Sequence, residues 1–325
     1  MAGSSHAAQP VAVIDVGTNS VKLLVANVRG PAVEALYETS DQTRLGAGFY
    51  QSRMLRPDSI EATARAVGRF VEKARSLGAS RIVCVGTSAA RDASNSEALA
   101  HALWTRAGME LRVLTGDEEA ELAFEGVLSD SRLDGRVHLA ADVGGGSTEL
   151  ILGDRTKVLA RQSFPLGAVR LAEQFPMPES PSPEDYARCR AFVGGFIKGQ
   201  MAPFLESERG AQLTNLQTII SACGTSTILA RMHLQVQEYD RDRLDGCRIE
   251  SSALEQLNSQ LWNSSLTSRR QIIGLPADRA DIMPFGTLIF DCILGMLGAS
   301  YLIVSLRGLR FGLATRLAHG PSESN

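Results

Sequence analysis

The sequence has no long apolar run and no apolar leader. A helix that crosses a membrane needs about 18 or more uninterrupted apolar residues, and the best window, residues 288–304, is broken by Asp291 and by glycines. Residues 1–10 are small and polar, without the basic stretch and apolar run of a secretory signal, and we expect them to form a disordered tail. These absences predict a cytoplasmic protein with no membrane partner.

Cysteine and histidine are scarce and are not spaced as a disulfide framework or a zinc site. The sequence holds five of each, no two cysteines form a C-x-x-C pair, and no two histidines stand four residues apart. Buried thiols in a reducing cytosol explain such cysteines better than disulfides or zinc do. The histidines are interpreted as ordinary surface or core residues.

An excess of basic charge is also missing. The formal net charge is −3, whereas a nucleic-acid partner usually requires a broad basic face, so we expect none. Any anionic ligand must therefore meet a local cluster of donors. With 44% of its residues hydrophobic, the chain has enough apolar material for two domains with separate cores.

What the sequence does contain is an internal repeat. Residues 11–20 (VAVIDVGTNS) and 137–147 (VHLAADVGGGS) share Asp, Val, Gly and Ser in one register. Each copy is an apolar run that ends in Asp15 or Asp142, then a glycine turn and a second alternating run, which predicts a β-hairpin. Glycine lets the backbone approach a ligand and leaves N–H groups free to bind it. Two such hairpins can clamp an anion, although two unrelated tight turns would give the same pattern.

The remainder of the chain alternates between strand and helix patterns, which predicts an α/β fold. A proline-rich segment is the clearest loop, since its prolines do not fit a helix or a central strand. The predicted elements are helices over 58–77, 95–106, from Thr225 onward and over 308–317, strands over 81–86, 216–223 and 302–305, and the loop over 176–183.

Seven segments in order resemble the exopolyphosphatase and guanosine pentaphosphatase (Ppx/GppA) family of the actin-like ATPase superfamily. The resemblance runs nearly end to end. Its segments begin at Asp15 (DVGTNS), Gly86 (GTSAARDASN), Thr115 (TGDEEA), Asp142 (DVGGGSTE), Pro165 (PLGAVRL), Gly224 (GTSTILA) and Pro276 (PADRAD).

The resemblance implies two ribonuclease-H-like α/β domains around a cleft. The first covers residues 1–125 and is joined by the C-terminal helix, 308–319, and the second covers 126–307. Long family members continue into further helical domains, and a chain that ends at Asn325 is expected to prefer short polymers or to be only modestly processive. Where the family commonly has Gly-Leu-Arg-Glu-Gly, this chain has Phe311, so any role of that glutamate does not transfer.

Phosphoanhydride cleavage requires a divalent ion, donors around the transferred phosphoryl group and a base that orients water. The family's metal ligands match Asp142 and Glu149, with Asp15 as a weaker third, and Mg²⁺ or another divalent cation such as Mn²⁺ is the expected cofactor. Thr115 and Glu118 have the spacing of a capping box. Glu119, the next residue, is then free to reach the cleft, and it matches the family's catalytic glutamate.

The expected phosphate ligands lie in both hairpins and at one strand-to-helix junction. Arg91 matches a phosphate-binding arginine of the family, with a salt bridge as the alternative. Thr225 either contacts substrate or only caps its helix. The phosphate-binding set is Thr18, Asn19, Ser20, Ser88, Arg91, Gly145, Gly146 and Ser147. Candidate contacts for the rest of the substrate are Lys22, Arg170, Thr225 and Arg279, while Arg269 and Arg270 are better explained as solvated surface residues.

The resemblance therefore predicts an exopolyphosphatase that releases terminal orthophosphate from inorganic polyphosphate. The alternative within the same chemistry is a phosphohydrolase that converts guanosine pentaphosphate to the tetraphosphate. A small-molecule kinase on the same scaffold is a weaker alternative, because the sequence offers no further acidic base for an acceptor hydroxyl. A non-catalytic binding protein is also weaker, because Glu119, Asp142 and Glu149 are all intact. The pattern leaves a homodimer open.

Overall fold

The computed structural model describes residues 9–30, 32–130, 132–133, 135–208 and 218–319. The strands are β1 (Val11–Val16), β2 (Val21–Arg29), β3 (Ala32–Asp41), β4 (Arg81–Gly86), β5 (Leu111–Val113), β6 (His138–Val143), β7 (Thr148–Gly153), β8 (Val158–Phe164), β9 (Thr218–Ser221), β10 (Arg248–Glu250) and β11 (Tyr301–Val304).

The helices lie between and after these strands. They are α1 (Phe49–Ser52), α2 (Pro57–Ser76), α3 (Ser88–Asp92), α4 (Ser96–Ala107), α5 (Gly116–Leu128), α6 (Ala168–Gln174), α7 (Pro183–Phe196), α8 (Ala202–Glu208), α9 (Gly224–His233), α10 (Arg241–Leu244), α11 (Ser251–Trp262), α12 (Leu266–Arg269), α13 (Met283–Leu297) and α14 (Leu309–His319). A π-helical turn, Ile197–Met201, joins α7 to α8, and a 3₁₀ turn, Ala277–Arg279, follows α12.

The two sheets repeat one strand order. The first has five strands in the order β3-β2-β1-β4-β5, with antiparallel pairs among β1, β2 and β3 and parallel pairs from β1 to β5. In the second, β8-β7-β6-β9-β11 repeats this arrangement and β10 adds an antiparallel edge. The repeat seen in the sequence thus extends to whole sheets. The predicted α/β fold class, two ribonuclease-H-like units around a cleft, is confirmed.

Helices cover both faces of the first sheet, which is why β1 is buried along its whole length. Helices α2 and α4 pack on one face, and α5 and α14 pack on the other. Helix α5 also contacts the second sheet, because its Ala120 and Phe124 pack against Ala140 and Ile151. The helix that begins with the predicted catalytic segment is therefore held between the two sheets.

The last helix, α14, packs against the first sheet. Helices α14 and α5 cross at glycines: a Cβ on Gly126 would lie 2.0 Å from the carbonyl oxygen of Gly308, and a Cβ on Gly312 would lie 2.1 Å from that of Leu122. Phe311 is fully buried in the core that α14 shares with β1 and β2. The position where the family commonly has glutamate is a packing position in this chain.

Most predicted elements have counterparts within a few residues of their predicted bounds. The segment 176–183 does connect two helices, but Pro183 begins α7, because proline is tolerated in the first turn of a helix. Most of the predicted tail and the first two residues of the strand predicted over 216–223 lie outside the described residues. The domain boundaries stay a prediction. No helix of the described ranges is long and apolar enough to cross a membrane.

Candidate active site

The turns of the two repeated hairpins face each other across a cavity of about 500 Å³ between the sheets. Each turn is closed in the same way: the N–H of Gly17 donates to the Ser20 carbonyl at 3.1 Å, and the N–H of Gly144 donates to the Ser147 carbonyl at 2.9 Å. The turns are in close proximity, because a Cβ on Gly145 would lie 3.0 Å from the Cβ of Thr18. Hydroxyls and backbone amides from both hairpins therefore line one space.

The cross-strand neighbour of the aspartate differs between the two hairpins. Asp15 is paired with Lys22 in the β1–β2 ladder, whereas Asp142 is paired with Glu149 in the β6–β7 ladder. Directly paired residues of antiparallel strands project to the same face of the sheet. The first hairpin thus carries a balanced acid and base, and the second carries two acids.

Four carboxyl groups influence one another beside the cavity, and each has a raised pKa. Burial raises the pKa of Asp142 to about 6, against the effect of Lys22. Burial likewise raises the pKa of Glu119 to about 7, and the charges of Asp142 and Asp15 add to the shift while Arg91 opposes it. The pKa values of Asp15 and Glu149 are raised too, chiefly by burial. Carboxyls tuned toward neutrality in a cleft are typical of acid–base sites.

Local structure aims Glu119 at the cavity. Thr115 caps α5 by accepting from the N–H of Glu118, whose carboxylate accepts from the N–H of Thr115 in return at 2.9 Å. Glu118 is thus engaged in a capping box, as predicted, and Glu119 lines the cavity with only 14% of its side chain exposed. Arg91, at the end of α3, donates to the Glu119 carboxylate at 2.9 Å. Arg91 was expected either to bind phosphate or to form a salt bridge, and the structure shows a salt bridge with Glu119.

The first turn is held by an arginine that comes from the segment before α13. Arg279 donates to the Ser20 hydroxyl at 2.7 Å, and its guanidinium also faces the amide oxygen of Asn19. Burial lowers the pKa of Arg279 to about 10. Nearby, the exposed Arg44 forms an ion pair with Asp281 at 2.7 Å and so ties the same segment to the first sheet.

Comparison with known proteins identifies the kind of molecule to which this site belongs. A model of the Ppx/GppA phosphatase family matches residues 24–320. The chain belongs to the Ppx/GppA phosphatase family. Exopolyphosphatase 2 of Mycobacterium tuberculosis is 30% identical over 324 aligned residues, which cover 95% of this chain and 98% of the relative.

Other Ppx/GppA relatives are longer. The guanosine-5'-triphosphate,3'-diphosphate pyrophosphatase of Aliivibrio fischeri is 28% identical over 312 residues, which cover 95% of this chain but 59% of that protein. Among solved structures, an Aquifex aeolicus member of the Ppx/GppA family has a TM-score of 0.78 at 26% identity and is covered to 99%. An exopolyphosphatase from Cytophaga hutchinsonii has a TM-score of 0.86 at 24% identity, over 96% of this chain and 98% of that one, and shares the fold.

Ppx/GppA phosphatases generally depend on a divalent metal, and the carboxyl groups fit a hard cation. One buried carboxylate oxygen of Asp15 has no hydrogen-bond partner. Burial raises the pKa of Asp142 and Glu149, so ionisation of this pair is costly until a cation binds beside them. Across the described residues, no three acidic, cysteine or histidine side chains form a complete metal site. Such a cation would need water and substrate oxygens as further ligands, as Mg²⁺ commonly does.

The structure brings most of the predicted residues of this Ppx/GppA site to the cavity wall. Arg91, Glu149 and Arg170 lie just behind it: Glu149 accepts from the Ser163 hydroxyl at 2.6 Å, and Arg170 donates to the Gly146 carbonyl at 2.9 Å. The candidate site residues that line the cavity are Asp15, Thr18, Asn19, Ser20, Lys22, Ser88, Glu119, Asp142, Gly145, Gly146, Ser147, Thr225 and Arg279. The hydroxyl of Thr225 donates to the Val143 carbonyl, so it fixes the helix to the second hairpin.

Sequence reasoning missed the far end of the cavity. Glu38, Arg231, Tyr239 and Arg310 line it there. Glu38 forms ion pairs with Arg310 and with Arg241. Arg310 belongs to the Gly-Leu-Arg-Phe-Gly segment, which was considered only for its departure at Phe311. The other three stand outside the motifs, and all four meet only through the packing of β3, α9, α10 and α14, so no local signal showed that they share a cavity.

The interpretation of Arg269 as a solvated residue is wrong. Its side chain is 1% exposed and donates to the sulfur of Met177, because α12 packs beneath the loop that precedes α7. Arg270, the next residue, is exposed as expected. Neither arginine lines the cavity.

Proposed function

We propose that this protein hydrolyses the terminal phosphoanhydride bond of inorganic polyphosphate and releases orthophosphate. The observation that carries the proposal is the Glu119 carboxyl group, which lines a cavity walled by two glycine-turn anion cradles and has a pKa of about 7. A base with a pKa near the working pH can accept a proton from water and release it again. The similarity to an exopolyphosphatase along the whole chain supports the same substrate.

The chain's own residues have separable tasks in this reaction. The amides of Gly145 and Gly146 and the hydroxyls of Thr18 and Ser147 would hold the terminal phosphoryl group, because N–H and O–H groups that converge on one space bind an anion well. Glu119 would orient a water molecule behind that group and take its proton on a carboxylate oxygen. The ion pair with Arg91 keeps the Glu119 carboxylate in place for this task.

A divalent cation, Mg²⁺ or another such as Mn²⁺, would be held by Asp142 and Glu149, with Asp15 as a further contributor. When bound, it would neutralise charge on the substrate's phosphate oxygens. Lys22 lowers the pKa of both Asp15 and Asp142 and so helps to keep them ionised as ligands.

Replacement of Glu119 tests the proposal directly. In an assay of free phosphate from polyphosphate with Mg²⁺, Glu119→Gln should lower kcat by about 1,000-fold, since positioned proton transfer contributes roughly 10²–10⁴. Substrate binding should stay nearly intact, because Gln has the same shape. Asp117→Asn, an exposed change in the same helical turn, is the matched control and should keep full activity. Unchanged turnover in Glu119→Gln would contradict the mechanism.

A second substrate is favoured by the apolar side of the cavity. Ile228, Tyr239 and Ile282 line it, and half of the Tyr239 side chain is exposed. Inorganic polyphosphate has no apolar surface to bury there, whereas a nucleoside does. Guanosine pentaphosphate is therefore the alternative substrate, consistent with the similarity to the Aliivibrio pyrophosphatase. Tyr239→Ala should weaken kcat/KM for the guanosine compound by about tenfold and leave that for polyphosphate unchanged.

We also propose that the protein acts in the cytoplasm. Its five cysteines are free, and burial raises the pKa of Cys84, Cys189 and Cys292 to about 11–12, as fits inert thiols in a reducing compartment. Fractionation of the source cells tests this, and recovery of the protein outside the cytosolic fraction would contradict it.

A further inference from the structure

Tyr50 lies where the two halves of the site meet, although no motif includes it. It belongs to α1, and Gly46, in the loop just before that helix, donates from its N–H to the Thr18 carbonyl at 2.7 Å. From the other side, Glu173 of α6 accepts from the backbone N–H groups of Gly48 at 2.6 Å and Tyr50 at 2.9 Å. Helix α1 is thus tied to the first hairpin and to α6.

The ring of Tyr50 is held by an arginine that also contacts the second hairpin. The guanidinium of Arg170 lies 4.2 Å from the ring centroid, and the same side chain donates to the Gly146 carbonyl at 2.9 Å. A second ion pair joins Arg170 to Asp92 at 3.4 Å. These contacts fix the ring in one position beneath the turn that is proposed to hold phosphate.

Burial raises the pKa of Tyr50, and Arg170 and hydrogen bonding to the Ser88 and Thr18 hydroxyls oppose that shift. The buried Tyr50 hydroxyl lies beside those two hydroxyls but makes no hydrogen bond of good geometry to either. The hydroxyl of Ser88 is buried and without a partner in the same way. A Cβ on Gly146 would lie 2.1 Å from the Tyr50 hydroxyl oxygen and 2.3 Å from that of Ser88, so both oxygens pack against one glycine. Buried hydroxyls without partners are costly, and such groups commonly serve a ligand. Ser88 lines the cavity, whereas Tyr50 lies behind it.

We propose that Tyr50 is a positioning residue for phosphate binding that acts through Ser88. The Tyr50 hydroxyl donates to the oxygen of Ser88, which turns the Ser88 proton toward a non-bridging oxygen of the bound phosphoryl group. Both hydroxyl groups then have a hydrogen-bond acceptor. The two hydrogen bonds strengthen each other, because the second one is donated to an anion. The inference rests on the proposed function for its substrate, but the binding of phosphate tests it separately.

The experiment measures two readouts in Tyr50→Phe, which removes the hydroxyl and keeps the ring on Arg170. Binding of inorganic phosphate is measured by calorimetry with Mg²⁺ present, and phosphate release from polyphosphate gives kcat and KM. We expect Tyr50→Phe to weaken phosphate binding and to lower kcat/KM by about tenfold each, the effect of one charge-assisted hydrogen bond. Tyr37→Phe, the same chemical change on the ring beneath Lys73, is the matched control and should change neither.

A double-mutant cycle separates positioning from a structural role. If Tyr50 acts through Ser88, then Ser88→Ala and the double variant should each lose about tenfold, because the second change has nothing left to remove. Losses that multiply to about a hundredfold, or a Tyr50→Phe variant indistinguishable from Tyr37→Phe, would overturn the inference.

The proposed function and this inference fail separately. A wild-type chain that binds phosphate but hydrolyses neither substrate would refute the proposed function, and the binding data would still decide the role of Tyr50. A wild-type chain that binds no phosphate overturns the inference. Thermal unfolding of each variant checks that the fold is intact. We expect each Tm to lie within about 2 °C of the wild-type value, because only one small group is removed at each position.

Discussion

The two repeated hairpins share a backbone and differ in charge. Both close with a glycine N–H bonded to a serine carbonyl, and both carry an aspartate one residue before the end of a central strand. In the first, lysine stands opposite the aspartate, and the turn is filled by the side chains of Thr18 and Asn19. In the second, glutamate stands opposite the aspartate, and the turn consists of bare glycines. The same hairpin structure therefore places an acid–base pair on one side of the cavity and a pair of acids on the other.

The difference shows how a duplicated element can supply two parts of one reaction. The acidic hairpin suits a cation and the water near it, since its two paired carboxyls are buried and costly to ionise without one. The balanced hairpin, with Lys22 and Arg279 beside it, suits the anionic substrate. Variants that change this contrast should all lose activity. Removal of an acid should raise metal-free stability, whereas a side chain added to the glycine turn, or removal of the lysine, should lower it.

Glu149→Gln should have the largest effect on activity. The buried charge is lost while the shape and the contact with Ser163 are kept. We expect activity to fall by about 1,000-fold, the scale of a lost electrostatic group in an active site. Without metal, however, the protein should become more stable, because the cost of burying an ionisable carboxyl group is removed, as is repulsion from Glu119 and Asp142. Phosphate release and urea unfolding check the two halves, and a fall in metal-free stability would contradict the assignment.

Gly146→Ala should come next, because it gives the second turn a side chain like those of the first. The new Cβ would overlap the Tyr50 and Ser88 hydroxyls, so the turn must shift. We expect kcat/KM to fall by about a hundredfold and stability to fall by about 1–3 kcal/mol. Gly194→Ala in α7, where a Cβ meets nothing within 4 Å, is the control and should stabilise the protein by up to about 1 kcal/mol. Similar behaviour of the two variants would contradict this account of the turn.

Lys22→Met should lower activity less than Glu149→Gln does, and it should lower the metal-free stability that Glu149→Gln raises. It removes the cation that lowers the pKa of Asp15 and Asp142, so both carboxyls become harder to ionise. We expect about a tenfold loss of kcat/KM at pH 7, partly recovered at higher pH, and lower metal-free stability. A pH–rate profile that does not shift upward would show that Lys22 does not tune these groups.

The weakest predicted effect is the pH dependence of the wild type. Activity needs ionised Glu119 and Asp142, so it should rise as pH increases through about 6 to 7. Metal-free stability should move the other way. The pKa values of these carboxyls in the folded state lie above the ordinary value of about 4. Between about pH 4 and 7 the folded state therefore binds more protons than the unfolded state, and the free energy of unfolding declines as pH rises.

Urea unfolding in EDTA at pH 5 and pH 8 measures the decline. Added Mg²⁺ should restore stability at pH 8, where the carboxyls are ionised, and do little at pH 5, where they are protonated. Equal stabilisation by Mg²⁺ at both values would contradict a carboxylate metal site.

The features that the sequence predicted are those with a local cause. The capping box at Thr115 depends on residues three apart, and the hairpins depend on adjacent alternating runs. The fold class followed from the same patterns and from the family resemblance. The bond between Arg91 and Glu119 joins residues from different helices, and the burial of Arg269 depends on a loop far away in sequence. Periodicity carries no information on such contacts, and Tyr50 was missed for the same reason.

Early and late parts of the described chain meet at the first sheet, because α14 lies against β1, the strand that carries Asp15. The part that holds the second sheet is therefore an insertion within the part that holds the first. A premature stop before residue 309 would expose the hydrophobic face of β1 and β2 to water. The loss would therefore affect Asp15, although it lies near the start of the sequence. A circular permutant that joins α14 directly to β1 would keep every contact of this core while changing where synthesis begins.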